Sequence, residues 1–275
     1  MSATAAPLVF ITGASSGIGQ ALALRYAQAG WRLALVARRT AVLQAWAEAQ
    51  GLGPERCSIF GADVGLTDSI VAAGQACLAG PGLPQVVIAN AGISVGMDTA
   101  ERDDLAVMQD TFATNNTGMA ATFQPFLAAM RARGQAAGPA GAGGTLVGIA
   151  SVAAIRGLPG HGAYCASKAA VVAYCESLRG ECRGQGVRVV TLLPGYVATR
   201  LTARNPYPMP FLMSPEAFAE RAFRAIQAGD SYRVIPWQMG VAAKLLRLLP
   251  NPWFDRLFAG RGRKPRRGEQ RAGPG

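Results

Sequence analysis

A chain of 275 residues, half of them hydrophobic and 16% charged, is long enough to bury a large core and too apolar for a disordered polymer. No apolar run approaches the ~20 residues that span a bilayer, and the five cysteines are scattered with no Cys-x-x-Cys pair, which argues against a cysteine metal site and for free thiols in a reducing compartment. About half of the formal net charge of +11 comes from residues 261–275, which hold six basic residues against one acid, Glu269.

Apolar runs suited to buried strands alternate with amphipathic helical stretches. Leu8–Thr12 reads as a strand, Gly17–Ala29 as a helix closed by Gly30, Arg32–Ala37 as the next strand and Thr40–Gln50 as the next helix. Cys57–Gly61 is a short strand before a helix over Thr67–Ala79, and Gln85–Asn90 a strand before two helical stretches, Asp103–Thr114 and Gly118–Arg133. The Gly/Ala/Pro loop 134–144 leads to a strand over Thr145–Ser151 and a long helix over Tyr164–Arg183. Arg188–Leu193 is a sixth strand, Pro215–Ala228 a helix and Tyr232–Pro236 a seventh strand. Strand–helix alternation with continuous Val/Ile/Leu runs predicts an α/β fold: one domain over 1–239, with a doubly wound parallel sheet of about seven strands and helices on both faces.

Thr12–Gly19 (Thr-Gly-Ala-Ser-Ser-Gly-Ile-Gly) follows the first strand and opens a helix. Glycines there permit a tight turn and close backbone approach to a pyrophosphate, and the helix start offers free N–H groups and a positive dipole end. At the end of the second strand, where an acid would hold the ribose hydroxyls of NAD, the chain has Ala37-Arg38-Arg39, and no Asp or Glu precedes Glu48. Two guanidiniums suit a 2′-phosphate, with the Ser15 hydroxyl beside them, so the expected cofactor is NADP(H); the alternative is a pair of ordinary solvated charges.

Tyr164 and Lys168 lie four apart in a helical segment and therefore on one face, in a chain with 24 Arg and only three Lys. A cation one turn from a phenol favours the phenolate and brings its pKa toward a useful range. By itself the pair is equally compatible with a stray lysine on a helix. His161 either touches substrate or lines the loop entering that helix, and the absence of a ligand cluster leads to an expectation of no metal. Met97, Tyr207, Met209, Phe211 and Met213 fall in loops, either walling a pocket or packing in the core.

The glycine loop, the Tyr/Lys pair and further motifs in order make residues 8–236 resemble a short-chain dehydrogenase/reductase with a Rossmann-type fold. By that resemblance Gly13, Ser15, Ser16, Gly17, Ile18 and Gly19 form the cofactor loop; Asp63 and Val64 meet the adenine; Asn90, Ala91 and Gly92 end the fourth strand; and Pro194, Gly195, Val197 and Thr199 hold the carboxamide. Ser151, Tyr164 and Lys168 match the catalytic serine, tyrosine and lysine, and Asn115 of Asn115-Asn116-Thr117-Gly118 the catalytic asparagine. The implied activity is hydride transfer between a nicotinamide and a carbonyl or alcohol carbon. Tyr164 acts as acid or base, Ser151 on the substrate oxygen, Lys168 on the phenol and ribose, and Asn115 on a relaying water. The proline-rich, aromatic stretch 200–214 corresponds to a lid and points to an apolar substrate. A non-catalytic NADP(H)-binding regulator on the same fold is the competing reading. Pairing through the Tyr164–Arg183 helix implies a homodimer or homotetramer.

Residues 240–260 read as an amphipathic helical extension, and 261–275 as a basic, disordered tail. The extension suits an anionic membrane surface, a cover over the pocket or a subunit contact, while nothing suggests specific nucleic-acid readout. With no basic leader at the N-terminus, the expected setting is cytoplasmic, peripheral to a membrane if the extension binds one.

Overall fold

The computed structural model describes residues 6–138, 142–203, 205–260, 262–267 and 269. Seven strands, β1 (Leu8–Thr12), β2 (Arg32–Ala37), β3 (Cys57–Gly61), β4 (Val86–Ala89), β5 (Gly144–Ile149), β6 (Val187–Pro194) and β7 (Tyr232–Ile235), form one parallel sheet in the order β3-β2-β1-β4-β5-β6-β7. Each strand needs a crossover, and the expected alternation supplies it: α1 (Gly17–Gln28), α2 (Thr40–Ala49), α3 (Thr67–Ala79), α4 (Asp104–Phe112), α5 (Gly118–Ala136), α6 (Gly162–Glu181) and α7 (Pro215–Ala228). α8 (Trp237–Leu248) and α9 (Asn251–Phe258) follow the sheet.

All five β1 residues are buried, which explains its unbroken apolar run. Its side chains divide by the two-residue period: Val9 and Ile11 enter the core beneath α1 and α7, and Leu8 and Phe10 the core beneath α3, α5 and α6. Strand order reverses between β1 and β4, and the crevice at their carboxyl ends receives the glycine loop on one side and the β4 loop on the other.

Three departures from the sequence expectation bear on function. The expected break between 114 and 118 is a π-helical turn, Ala113–Thr117, that joins α4 to α5 without interruption. The expected boundary between 239 and 240 falls inside α8, whose Met239 packs against Gly195. The tail expected to be disordered packs against the body over its described part. There the Gly96 N–H donates to the Pro265 carbonyl at 3.2 Å, and a Cβ at Gly96 would collide with the Lys264 backbone. Arg266 pairs with Asp104 at 2.7 Å and Glu101 at 3.5 Å, Arg267 with Asp110 at 2.5 Å, and Arg263 with Asp98 at 3.7 Å. Complementary acids at the start of and along α4 hold what composition alone reads as a solvated tail. Arg261, Gly268 and 270–275 lie outside the described residues.

Candidate active site

The glycine loop turns at Gly13, whose φ of 66° disfavours side chains, and passes Ala91 closely enough that a Cβ would sit 2.9 Å from its Cα. Gly19 lets the first turn of α1 lie against the Gly13 carbonyl and the Asn90 carboxamide. α1 follows an N-cap at Ser16 that makes no side-chain capping bond, so its leading N–H groups remain available to an anion. Asn90 braces the loop, donating from Nδ2 to the Thr12 carbonyl at 3.0 Å, while Thr12 Oγ1 accepts from the Asn90 and Ala91 amides.

Ser151 lies just beyond β5, where its Oγ accepts from the Ala153 amide at 3.2 Å and caps a short turn, Val152–Ala154. The hydroxyl also hydrogen-bonds the Tyr164 phenol. Burial pushes that phenol up to about 12, and the Ser151 bond opposes the shift only in part. Burial likewise brings the Lys168 ammonium down to about 8. Here the structure corrects the expectation of a phenol acidified by its lysine. Lys168 Nζ is 5.8 Å from the Tyr164 ring centroid and donates to the Ile149 carbonyl at 2.8 Å, so desolvation governs the phenol.

Asn115 is buried within the π-helical turn. Its Oδ1 accepts from the Ile93 amide at 2.9 Å, and its Nδ2 donates to the Ile93 carbonyl at 3.1 Å and to Ser167 Oγ at 2.9 Å. It thus fixes the β4 loop to α6. Asn116 reaches the same residue through the Ser167 carbonyl.

These parts meet in one cavity of ≈ 1040 Å³. Gly13, Ser15, Ser16, Gly17 and Ile18 line one end with Arg38, Arg39, Asp63 and Val64. Asn90, Ala91, Gly92, Pro194, Gly195, Val197 and Thr199 line the middle, with Ser151, Tyr164 and Lys168. Two expected residues are absent from the wall: Asn115, which holds the β4 loop, and Gly19, which packs against the glycine loop. Arg38 also approaches Asp63, with 3.6 Å between Nη1 and Oδ2.

The far end is walled by Tyr207, Pro208, Pro210 and Phe211 of the stretch after β6, by Met239 and Leu246 of α8, and by Phe254 and Phe258 of α9. Met97 and Met213 are instead packed among apolar residues, and Met209 Sδ accepts from Asn205. His161 ties Tyr207 to the loop before α6: with Nδ1 donating to the Pro159 carbonyl at 3.0 Å, Nε2 accepts from the Tyr207 hydroxyl at 3.0 Å. Burial lowers the His161 pKa, which keeps that acceptor neutral.

Lys264 and Arg156 line the cavity without having been marked as site residues by the sequence. Lys264, returned by the docked tail, is buried, donates to Ser94 Oγ and the Leu201 carbonyl at 3.0 Å each, and is brought down to about 8 by desolvation. Its scarcity as one of three lysines was the available signal. Arg156 donates to the carbonyls of Leu246 and Leu249 at the end of α8 and lies over the Phe254 ring, 3.8 Å from its centroid. No local pattern marks it. Among the described residues, no group of three or more His, Cys, Asp or Glu gathers.

The profile of the family described as short chain dehydrogenase matches residues 7–207. An uncharacterised oxidoreductase of Myxococcus xanthus is 40% identical over 248 residues, covering 89% of this chain and 93% of that protein. Two solved structures share the fold. A short chain dehydrogenase/reductase from Burkholderia phymatum in complex with NAD has a TM-score of 0.76 at 24% identity, over 87% of this chain and 92% of that one. A short chain dehydrogenase from Burkholderia cenocepacia in complex with NADP has a TM-score of 0.76 at 20% identity, over 93% of this chain and 98% of that one.

Proposed function

The chain belongs to the short-chain dehydrogenase/reductase family of oxidoreductases, and on that premise we propose that it transfers hydride between NADP(H) and a carbonyl or alcohol carbon of an apolar substrate. The observation that carries this reading is the single cavity running from the uncapped start of α1 to Ser151, Tyr164 and Lys168.

The residues fit a dinucleotide. The α1 amides and the glycine loop suit a pyrophosphate; Asp63 and Val64 suit the adenine; Pro194, Gly195, Val197 and Thr199 suit the carboxamide. Arg38, Arg39 and Ser15, with no carboxylate at the end of β2, favour a ribose 2′-phosphate over free hydroxyls. When bound, the nicotinamide supplies or accepts the hydride.

The chain's own groups manage the oxygen and its proton. In reduction, the Tyr164 phenol, protonated throughout the neutral range, donates to the oxygen as charge develops there. The Ser151 hydroxyl donates a second hydrogen bond to that oxygen. Lys168 stabilises the phenolate left behind and holds ribose hydroxyls. Asn115 keeps the Ile93 loop and α6 in register, a positioning role that also suits a nearby relay water. The lid and the α8–α9 wall exclude water around a hydrophobic substrate.

The same reading extends to assembly and setting. On α6 the exposed residues Ala166, Ala169 and Ala173 form a small-residue stripe beside Tyr174, which suits close pairing with a second copy in a homodimer or homotetramer. Five free, buried cysteines suit a reducing, cytoplasmic setting.

The test is NADPH oxidation over a panel of 3-oxoacyl thioesters, steroid-like ketones and small polar carbonyls, alongside titrations with NADPH and NADH. Turnover concentrated on apolar carbonyls, with NADPH bound more tightly, is expected. Tight NADPH binding without turnover of any panel member would favour a non-catalytic regulator, and tighter NADH binding would overturn the cofactor preference.

A further inference from the structure

α8 and α9 have two faces. Met239, Ala242, Ala243 and Leu246 of α8, with Phe254 and Phe258 of α9, line the cavity. Trp237, Val241, Leu245 and Leu248 are exposed by 66, 49, 62 and 80%, and Trp253 and Leu257 by 69 and 44%. At about 100° per residue, the four exposed α8 positions fall within about 80° of one another and are centred roughly 150° from the cavity-lining set. Six of the fifteen exposed large hydrophobics among the described residues therefore lie in this one segment, against the usual scatter of single exposed apolar residues.

The flanking charges select the occupant. Lys244, Arg247 and Arg256 are exposed on the two helices, and Asp255 is the single acid between 237 and 258. A symmetric contact with a second copy would bring this basic patch against itself. An anionic lipid surface meets the same patch with the opposite sign, and an exposed tryptophan near the start of each helix suits the headgroup boundary.

We infer that the outer face of α8–α9 docks the protein on an anionic lipid bilayer, with Trp237, Val241, Leu245, Leu248, Trp253 and Leu257 entering the interface and Lys244, Arg247 and Arg256 contacting headgroups. The inner face of the same helices walls the substrate end of the cavity, so docking places a hydrophobic compartment one helix thickness from the bilayer. The substrate class is then a lipid-soluble carbonyl or alcohol that reaches the cavity from the membrane. That last step rests on the oxidoreductase reading, whereas docking itself does not.

The experiment is flotation of the full chain with vesicles of phosphatidylcholine alone and with about one-third phosphatidylglycerol, at low and high salt, with sedimentation to read oligomeric state. Flotation with the anionic vesicles, weaker at high salt and much weaker with neutral vesicles, is expected. Leu245→Glu/Leu248→Glu should lose about tenfold or more of the binding with an unchanged thermal melt, because both side chains are exposed in the free protein. If that variant fails to melt cooperatively, Lys244→Glu/Arg247→Glu, which leaves the apolar stripe intact, should lose anionic-vesicle binding instead. Wild-type protein that ignores anionic vesicles, floats equally with both kinds, or floats undiminished after the Glu substitutions would overturn the proposal. So would a variant that only converts an oligomer to a monomer, which would identify a second copy as the occupant. None of these readouts depends on turnover, so failure here is distinct from failure of the oxidoreductase reading.

Discussion

Lys168 Nζ stands 5.8 Å from the centre of the Tyr164 ring and gives its hydrogen bond to the Ile149 carbonyl. A buried ammonium satisfied by a backbone carbonyl carries a desolvation cost that varies with pH. Its folded value of about 8 lies below the ordinary 10.5, so between those values the unfolded chain binds more protons and stability rises with pH. The cost is present in full below pH 8 and gone above about 10.5. Chemical denaturation of the wild type and Lys168→Met across that range should therefore show the wild type gaining stability relative to the variant. Lys264 titrates in both proteins and cancels. A constant difference between them would contradict the assignment.

Arg38 and Arg39 face the glycine-loop end of the cavity with no carboxylate from β2 beside them. Arg38→Ala/Arg39→Ala should weaken NADPH by roughly 10- to 100-fold, the value of one or two charge-assisted contacts, and leave NADH nearly unchanged. Isothermal titration with both cofactors reads this directly. A parallel loss for the two would mean that the arginines support the fold and not the phosphate.

Arg156 joins the loop after Ser151 to the end of α8 and to the Phe254 ring. Arg156→Ala removes several donors to orphan carbonyls and a stacked contact, together about 2 kcal/mol, and should lower Tm by roughly 3–6 °C. The substrate KM should rise more than kcat falls, because the far wall loosens while Ser151 and Tyr164 stay in place. Arg156→Lys, which keeps charge without the planar fork, should rescue little.

Lys264 comes from the C-terminal strap and reaches Ser94 and Leu201 inside the cavity. Truncation after Gly260 should raise the substrate KM severalfold and expose that end to solvent, leaving NADPH affinity close to wild type because the glycine loop is untouched. The exposed pairs Arg263–Asp98 and Arg267–Asp110 are screened by salt, so high ionic strength should move the wild type toward the truncated form. Loss of NADPH binding on truncation would contradict this division of the cavity.

Much of this architecture is legible in the chain because it is local or periodic. The buried run Leu8–Thr12 declares a strand covered on both faces, and the glycines after it declare the turn. The spacing of Tyr164 and Lys168 declares a shared helical face. Arg156 and Lys264 escape because each acts on residues about 60 to 170 positions away, and periodicity says which way a side chain faces but not which distant segment returns to meet it. Composition misled for residues 262–267, since Gly, Pro and Arg read as solvated until the acids near and along α4 are seen opposite them. Spacing also misled about the phenol: one helical turn from a cation suggests acidification, yet burial dominates and raises it.

The central claim is that Tyr164 carries the proton for hydride transfer in this cavity. The most direct measurement is kcat/KM for NADPH-dependent reduction of the best panel carbonyl by wild type and Tyr164→Phe, with NADPH affinity measured on both. A loss of roughly 10²- to 10⁴-fold with NADPH affinity unchanged is the predicted result. Turnover by Tyr164→Phe equal to wild type would contradict it.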